Sequence, residues 1–157
     1  MMPGDQLAAL LDSELTCLRH LHDALMAEQE ALLAADAPAI EQGTIAKNRA
    51  LGEQVELIQH RQDFLLEAGF EATSAGLADC IRGCANATWL EDASSELNTL
   101  LQQCHEANRL NGRLIGQRQQ QTRNALNILR QAEQAPATYT DAGSAANTGP
   151  SRLIGKA

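Results

Sequence analysis

Leucines recur at helical intervals through the first part of the chain: Leu7, Leu11, Leu18, Leu21, Leu25 and Leu32 form one stripe, flanked by Leu10, Leu15 and Leu33. Spacings of three, four and seven residues gather them on one face of an amphipathic helix, which must bury that face against something. The kind of apolar residue points the same way. The 157 residues include 23 Leu, 27 Ala and 7 Ile but a single Val, and aromatics make up 3%. A sheet draws on β-branched and aromatic side chains, so an all-β domain or a dinucleotide-binding α/β domain is excluded. With one Trp, one Tyr and two Phe, there is little bulky material to line a small-molecule pocket. The buried surface is expected to be Leu and Ala at helix-helix seams.

The periodicity predicts an all-α, elongated antiparallel bundle, a coiled-coil-like hairpin of long helices with one short helix and a disordered carboxy-terminal tail. The first helix spans about 5–35, with Asp5 as N-cap and its acids on the outer face. Pro38 fits the first turn of a second helix, 38–68, capped by Asp36 or Ala37. Its stripe is Ile40, Thr44, Leu51, Val55, Ile58 and Leu65. So short a link requires the two helices to lie antiparallel or to continue each other with a kink. Leu77 and Ile81 mark a short helix over 74–84, and 89–134 forms the longest one. At ~1.5 Å per residue that last helix would run on the order of 65–70 Å, so it breaks near Gly112 or Gly116 or the molecule is elongated. Residues 1–134 thus make up the bundle. The small, polar, breaker-rich segment 135–157 makes up the tail.

Charge is unevenly placed. The net charge is -8, yet residues 1–107 carry 18 acids and 5 bases while residues 108–157 carry 2 acids and 7 bases. An acidic chain is a poor nucleic-acid binder, since counterion release needs Lys and Arg against the phosphates. The series Arg109, Arg113, Arg118, Arg123 and Arg130 is expected to pack beside the acidic first helix or to face an acidic partner helix. No apolar run approaches the roughly 18 residues that span a bilayer, and the amino end lacks a basic and then apolar secretion signal. The expected location is the cytoplasm, where Cys17, Cys80, Cys84 and Cys104 remain free thiols and act as small apolar side chains.

The motifs of catalysis are missing: there is no phosphate-binding loop, zinc-protease helix or nucleophile elbow. Cys104 and His105 are neighbours on a helix, about 100° apart, and do not converge on a metal with Cys80 and Cys84. Paired acids such as Glu28 and Glu30 read as a solvated helical face. No enzyme activity, cofactor or metal is expected. Gly116 to Asn124 has no large apolar residue on any face, so burial cannot anchor it as it anchors its neighbours. Asn108 and Asn111 interrupt an apolar stripe, and they either form an interhelical hydrogen-bond layer or face solvent.

Glu28-x-x-x-Leu32-x-x-x-Asp36, then Ile40, Lys47, Leu51 and Arg61, and later Asn108-x-x-Asn111-Gly112-x-Leu114-Ile115, Thr122, Ala125-Leu126 and Leu129, resemble the FlgN family of flagellar export chaperones over roughly residues 5–143. The resemblance implies a cytoplasmic chaperone without catalytic activity. It would bind the hook-filament junction proteins FlgK and FlgL, prevent their premature assembly and deliver them to the export gate protein FlhA. It assigns client binding to Asn108, Asn111, Leu114, Ile115, Thr122, Leu126 and Leu129, and docking at the gate to Tyr139 in the tail. The chain departs from the family pattern past Gly143, where Leu153, Ile154 and Lys156 follow. The residues by themselves also allow a self-associating coiled-coil adaptor that releases no client, and homo-oligomerisation is compatible with either reading.

Overall fold

The computed structural model describes residues 2–134, with side chains to residue 132. Four helices follow one another: α1 (Pro3–Ala34), α2 (Ala37–Glu67), α3 (Ser74–Arg82) and α4 (Ala87–Gln134). The all-α reading holds, and no strand occurs among the described residues. The chain divides into two units, Met1–Ile115 and Gly116–Ala157. None of the described side chains from Gly116 onward is buried. α4 nevertheless passes through Gly112 and Gly116 as one helix. The expected tail, 135–157, lies outside the described residues.

In the first unit α1 is the central helix. Leu7, Leu11, Leu18, Leu21, Leu25 and Leu32 are all buried, with Leu15. Pro3 opens the helix after Met2, which offers no side-chain cap. Asp5 is therefore not the cap but lies inside the first turn, where its charge suits the helix dipole. The other end closes with Asp36 N–H donating to Ala31 O at 3.1 Å and Ala35 N–H to Leu32 O at 3.3 Å. That pattern requires a left-handed residue, and Ala35 adopts it at φ 56° despite its Cβ. Asp36 then caps α2, its Oδ1 accepting from Ala39 N–H at 3.2 Å, as expected for a helix with Pro38 in its first turn.

The two-residue link turns the chain back, so α2 runs antiparallel to α1. Glu28 lies beside Gly43 and Thr44, Cys17 beside Ala50, and Glu14 beside Arg61. The buried face of α2 keeps Leu65 of the expected stripe, with Ile40, Thr44 and Ile58 half-buried, but departs from it at Leu51 and Val55. Gly43, Ala50, Gln54 and Leu65 are buried, while Val55 and Leu51 are exposed. Small residues let the helices come close: a Cβ on Gly43 would sit 3.1 Å from Glu28 Cα.

α2 ends in a left-handed turn at Gly69, φ 86°, with Phe70 N–H bonded to Leu65 O at 2.8 Å. Thr73 caps α3, its Oγ1 accepting from Gly76 N–H at 3.1 Å. Leu77 and Ile81 join the core as expected, and α3 stops at Arg82 rather than at Cys84. Asn86 Nδ2 then donates to Gly4 O at 3.2 Å. From there α4 runs parallel to α1, burying Leu90, Ala93, Leu97 and Cys104.

Candidate functional site

The α1 seam follows the series 7, 11, 14, 18, 21, 25, 28, 32, alternating steps of four and three as in coiled-coil packing. Two positions of that series are not Leu but Glu14 and Glu28, both buried. They lie fourteen residues apart, about 21 Å along the helix. Glu28 is thus no part of a solvated face. Its signal was its phase: it falls on the leucine stripe between Leu25 and Leu32, and Glu14 likewise falls between Leu11 and Leu18.

Two helices supply the partners of Glu28. From α2, Lys47 Nζ donates to its Oε1 at 3.1 Å, and Thr44 Oγ1 lies 3.0 Å from its Oε2. From α4, Asn111 Nδ2 donates to its Oε1 at 3.0 Å and to Leu25 O at 2.9 Å. Asn111 Oδ1 is buried without a hydrogen-bond partner. At the other layer Arg61 Nε stands 2.8 Å from Glu14 Oε1. This contact is a close ion pair rather than an aligned hydrogen bond, since neither Glu14 oxygen makes one. Burial pushes the Glu14 carboxyl above its ordinary pKa, and Arg61 opposes that shift. Polar groups at seam positions cost stability and fix register. A one-heptad slip of α2 along α1 would unpair both layers.

Asn111 and Asn108 take different places. Asn111 is fully buried in the layer just described. Asn108 is exposed and stands on the lip of a groove of about 770 Å³ between α2 and α4. Leu114 and Ile115 are half-buried at the end of the first unit.

The other candidate residues belong to the second unit. Thr122, Leu126 and Leu129 are exposed, the two leucines to 51% and 61%. At 3.6 residues per turn they continue the spacing of Leu97, Cys104, Asn111 and Ile115, which face the core earlier in the same helix. Ile128 is exposed as well. Arg123 and Arg130 are exposed beside these leucines, and α4 carries no acid from Asn111 to Ala132. Large apolar side chains left in water along a helical stripe are a feature common at protein–protein contacts. Tyr139 lies outside the described residues.

Of the arginine series, Arg109, Arg113, Arg123 and Arg130 are exposed and form no ion pair among the described residues, and Arg19 pairs with Glu96 across α1 and α4 at 2.5 Å. Contact with α1 instead uses the Leu and Cys face of α4, which turns these arginines to the surface. The four cysteines are free, and Cys17, Cys80 and Cys104 are buried. Burial raises the pKa of those three thiols, so they pack as small apolar groups rather than react.

Comparison with known proteins adds an independent line. The family model described as FlgN protein matches residues 1–147. A crystal structure from Pseudomonas aeruginosa, bearing the name flagella synthesis protein FlgN, superposes with a TM-score of 0.65 at 30% identity. The match covers 79% of this chain and 95% of that one. None of the curated proteins matches the chain.

Proposed function

Because the chain belongs to the FlgN family, a family of flagellar proteins, we propose that it acts as a cytoplasmic export chaperone for the hook-filament junction proteins FlgK and FlgL. It holds them unassembled and delivers them to the export gate protein FlhA. The observation that carries this reading is the exposed stripe of Thr122, Leu126 and Leu129 on α4. A client helix laid along that stripe supplies the burial that this part of α4 lacks, at roughly 1.5–3 kcal/mol for each leucine fully covered. Export clients of this kind must be kept from one another, and covering an apolar helix does that without chemistry.

Within the first unit, Asn108 and the half-buried Leu114 and Ile115 are further client contacts, while Asn111 supports them by fixing the seating of α4 on α1. Tyr139 docks at the gate. An aromatic side chain gives a large contact area with few rotatable bonds, which suits an anchor in a chain segment of small and polar residues. No helix among the described residues is long and apolar enough to cross a membrane, in keeping with a chaperone that meets the gate from the cytoplasm. Co-purification with FlgK and FlgL from the source cell tests the reading. Retention of either supports it, and retention of neither, with the chain recovered as a self-associated species, returns the coiled-coil adaptor.

A further inference from the structure

The groove between α2 and α4 lies wholly within the first unit and is separate from the leucine stripe at 126–129. Leu21, Leu25 and Cys104 line its interior, and Leu51 and Leu101 stand on its lips, 42% and 49% exposed. Neither exposed leucine is needed to close the core. Both belong to helices whose seams are already filled by other residues.

We propose that this groove is a docking site for an amphipathic helix of a partner protein, one that carries carboxylates beside its apolar stripe. Both walls are helices, whose backbone N–H and C=O groups are used within each helix. The groove therefore offers no strand edge to an extended peptide, and its occupant must satisfy its own backbone, as a helix does. A volume of about 770 Å³ takes a few leucine-sized side chains.

The charge of the occupant follows from the lining. Lys47, His105 and Arg109 face a single acid, Glu106, in a chain whose net charge is -8. Lys47 is 14% exposed and held by Glu28, whereas Arg109 is exposed and forms no ion pair among the described residues. Arg109 is thus the free cation at the groove, with the Asn108 amide one residue away, and a carboxylate on the incoming helix meets them. Electrostatic complementarity of this kind selects the partner and its orientation more than it adds affinity.

The test uses the full chain and two labelled helical peptides, each with Leu at helical spacing, one flanked by Glu and the other by Lys. Fluorescence anisotropy should show the Glu-flanked peptide binding at least about tenfold more tightly. Leu101→Glu should remove that binding, and Arg109→Glu should reverse the preference between the peptides. Leu126→Ala with Leu129→Ala should change nothing, which separates this site from the proposed client stripe. Backbone NMR shifts on titration should concentrate at Leu51, Leu101, Asn108 and Arg109. Equal binding of the two peptides, no binding of either, or loss in the Leu126/Leu129 variant with the groove variants unaffected would overturn the proposal.

Discussion

Asn111 Nδ2 donates to Glu28 Oε1 at 3.0 Å, joining α4 to α1 at the same carboxylate that receives Lys47 from α2. One buried acid thereby fixes the relative register of three helices. Asn111 stands at the last well-packed level of α4 in the first unit, four residues before that unit ends at Ile115. Register set there determines which face of α4 is turned to α1 and which side chains follow in phase beyond it.

The first prediction concerns that layer. Lys47→Met leaves Glu28 buried without its cation and should cost about 3 kcal/mol, the low end of what breaking a buried pair costs, because Lys47 is 14% exposed. Glu28→Gln added to Lys47→Met should recover much of that loss, since the amide no longer needs a counter-charge. Urea unfolding measures both. A loss below about 1 kcal/mol in the single variant contradicts a structural role for the pair.

The second layer gives a dependence on pH. Burial raises the Glu14 pKa from its ordinary 4.5, and Arg61 only partly offsets this. The folded chain then holds the proton more tightly than the unfolded one. The contribution of Glu14 to stability is therefore full below pH 4.5 and declines as pH rises through the raised folded-state value. Glu14→Gln removes this titration. The unfolding free energy of wild type minus that of the variant should fall as pH rises from below 4.5 through the raised folded-state value. A difference that is flat, or that rises, contradicts the assignment.

Ala35 holds a left-handed conformation, φ 56°, that an L side chain resists. Ala35→Gly relieves the strain, while the added freedom of glycine in the unfolded chain offsets part of the gain, so stability should rise by about 0.5–1 kcal/mol. Thermal unfolding reads this directly, and a lower midpoint contradicts it.

Much of the architecture was legible in the leucine spacing. The α1 stripe, the capping of α2 by Asp36 and the helical character throughout all follow from period and breakers. Charge alone puts Glu28 on a solvated face, whereas the positions 21, 25, 28 and 32 place it on the seam. On α2 the spacing finds Leu65 but misses Gly43 and Ala50, which allow the close approach and carry no apolar weight in a periodicity argument. The two asparagines were inseparable in sequence because three residues along a helix is enough to carry one into the seam and leave the other on a lip. The stripe at Leu126 and Leu129 was visible in the spacing, but its exposure depends on where packing against α1 ends, and only the folded chain reveals that.

Tyr139→Ala should leave the affinity for FlgK and FlgL within about twofold, a change below ~0.5 kcal/mol, and should weaken association with FlhA. Pull-down of both partners with the same variant checks it. Unchanged gate association, or a lost client complex, removes the proposed docking role.

The most direct test of the central claim is calorimetric titration of purified FlgK and FlgL into the wild-type chain and into the Leu126→Ala/Leu129→Ala variant. Both leucines are exposed, and alanine favours helix at least as well as leucine, so the variant keeps its fold. Wild type should bind, and the variant should lose about 1–3 kcal/mol of binding free energy with its circular dichroism unchanged. Equal affinity in the two proteins, or no binding by the wild type, would contradict the assignment of α4 as the client surface.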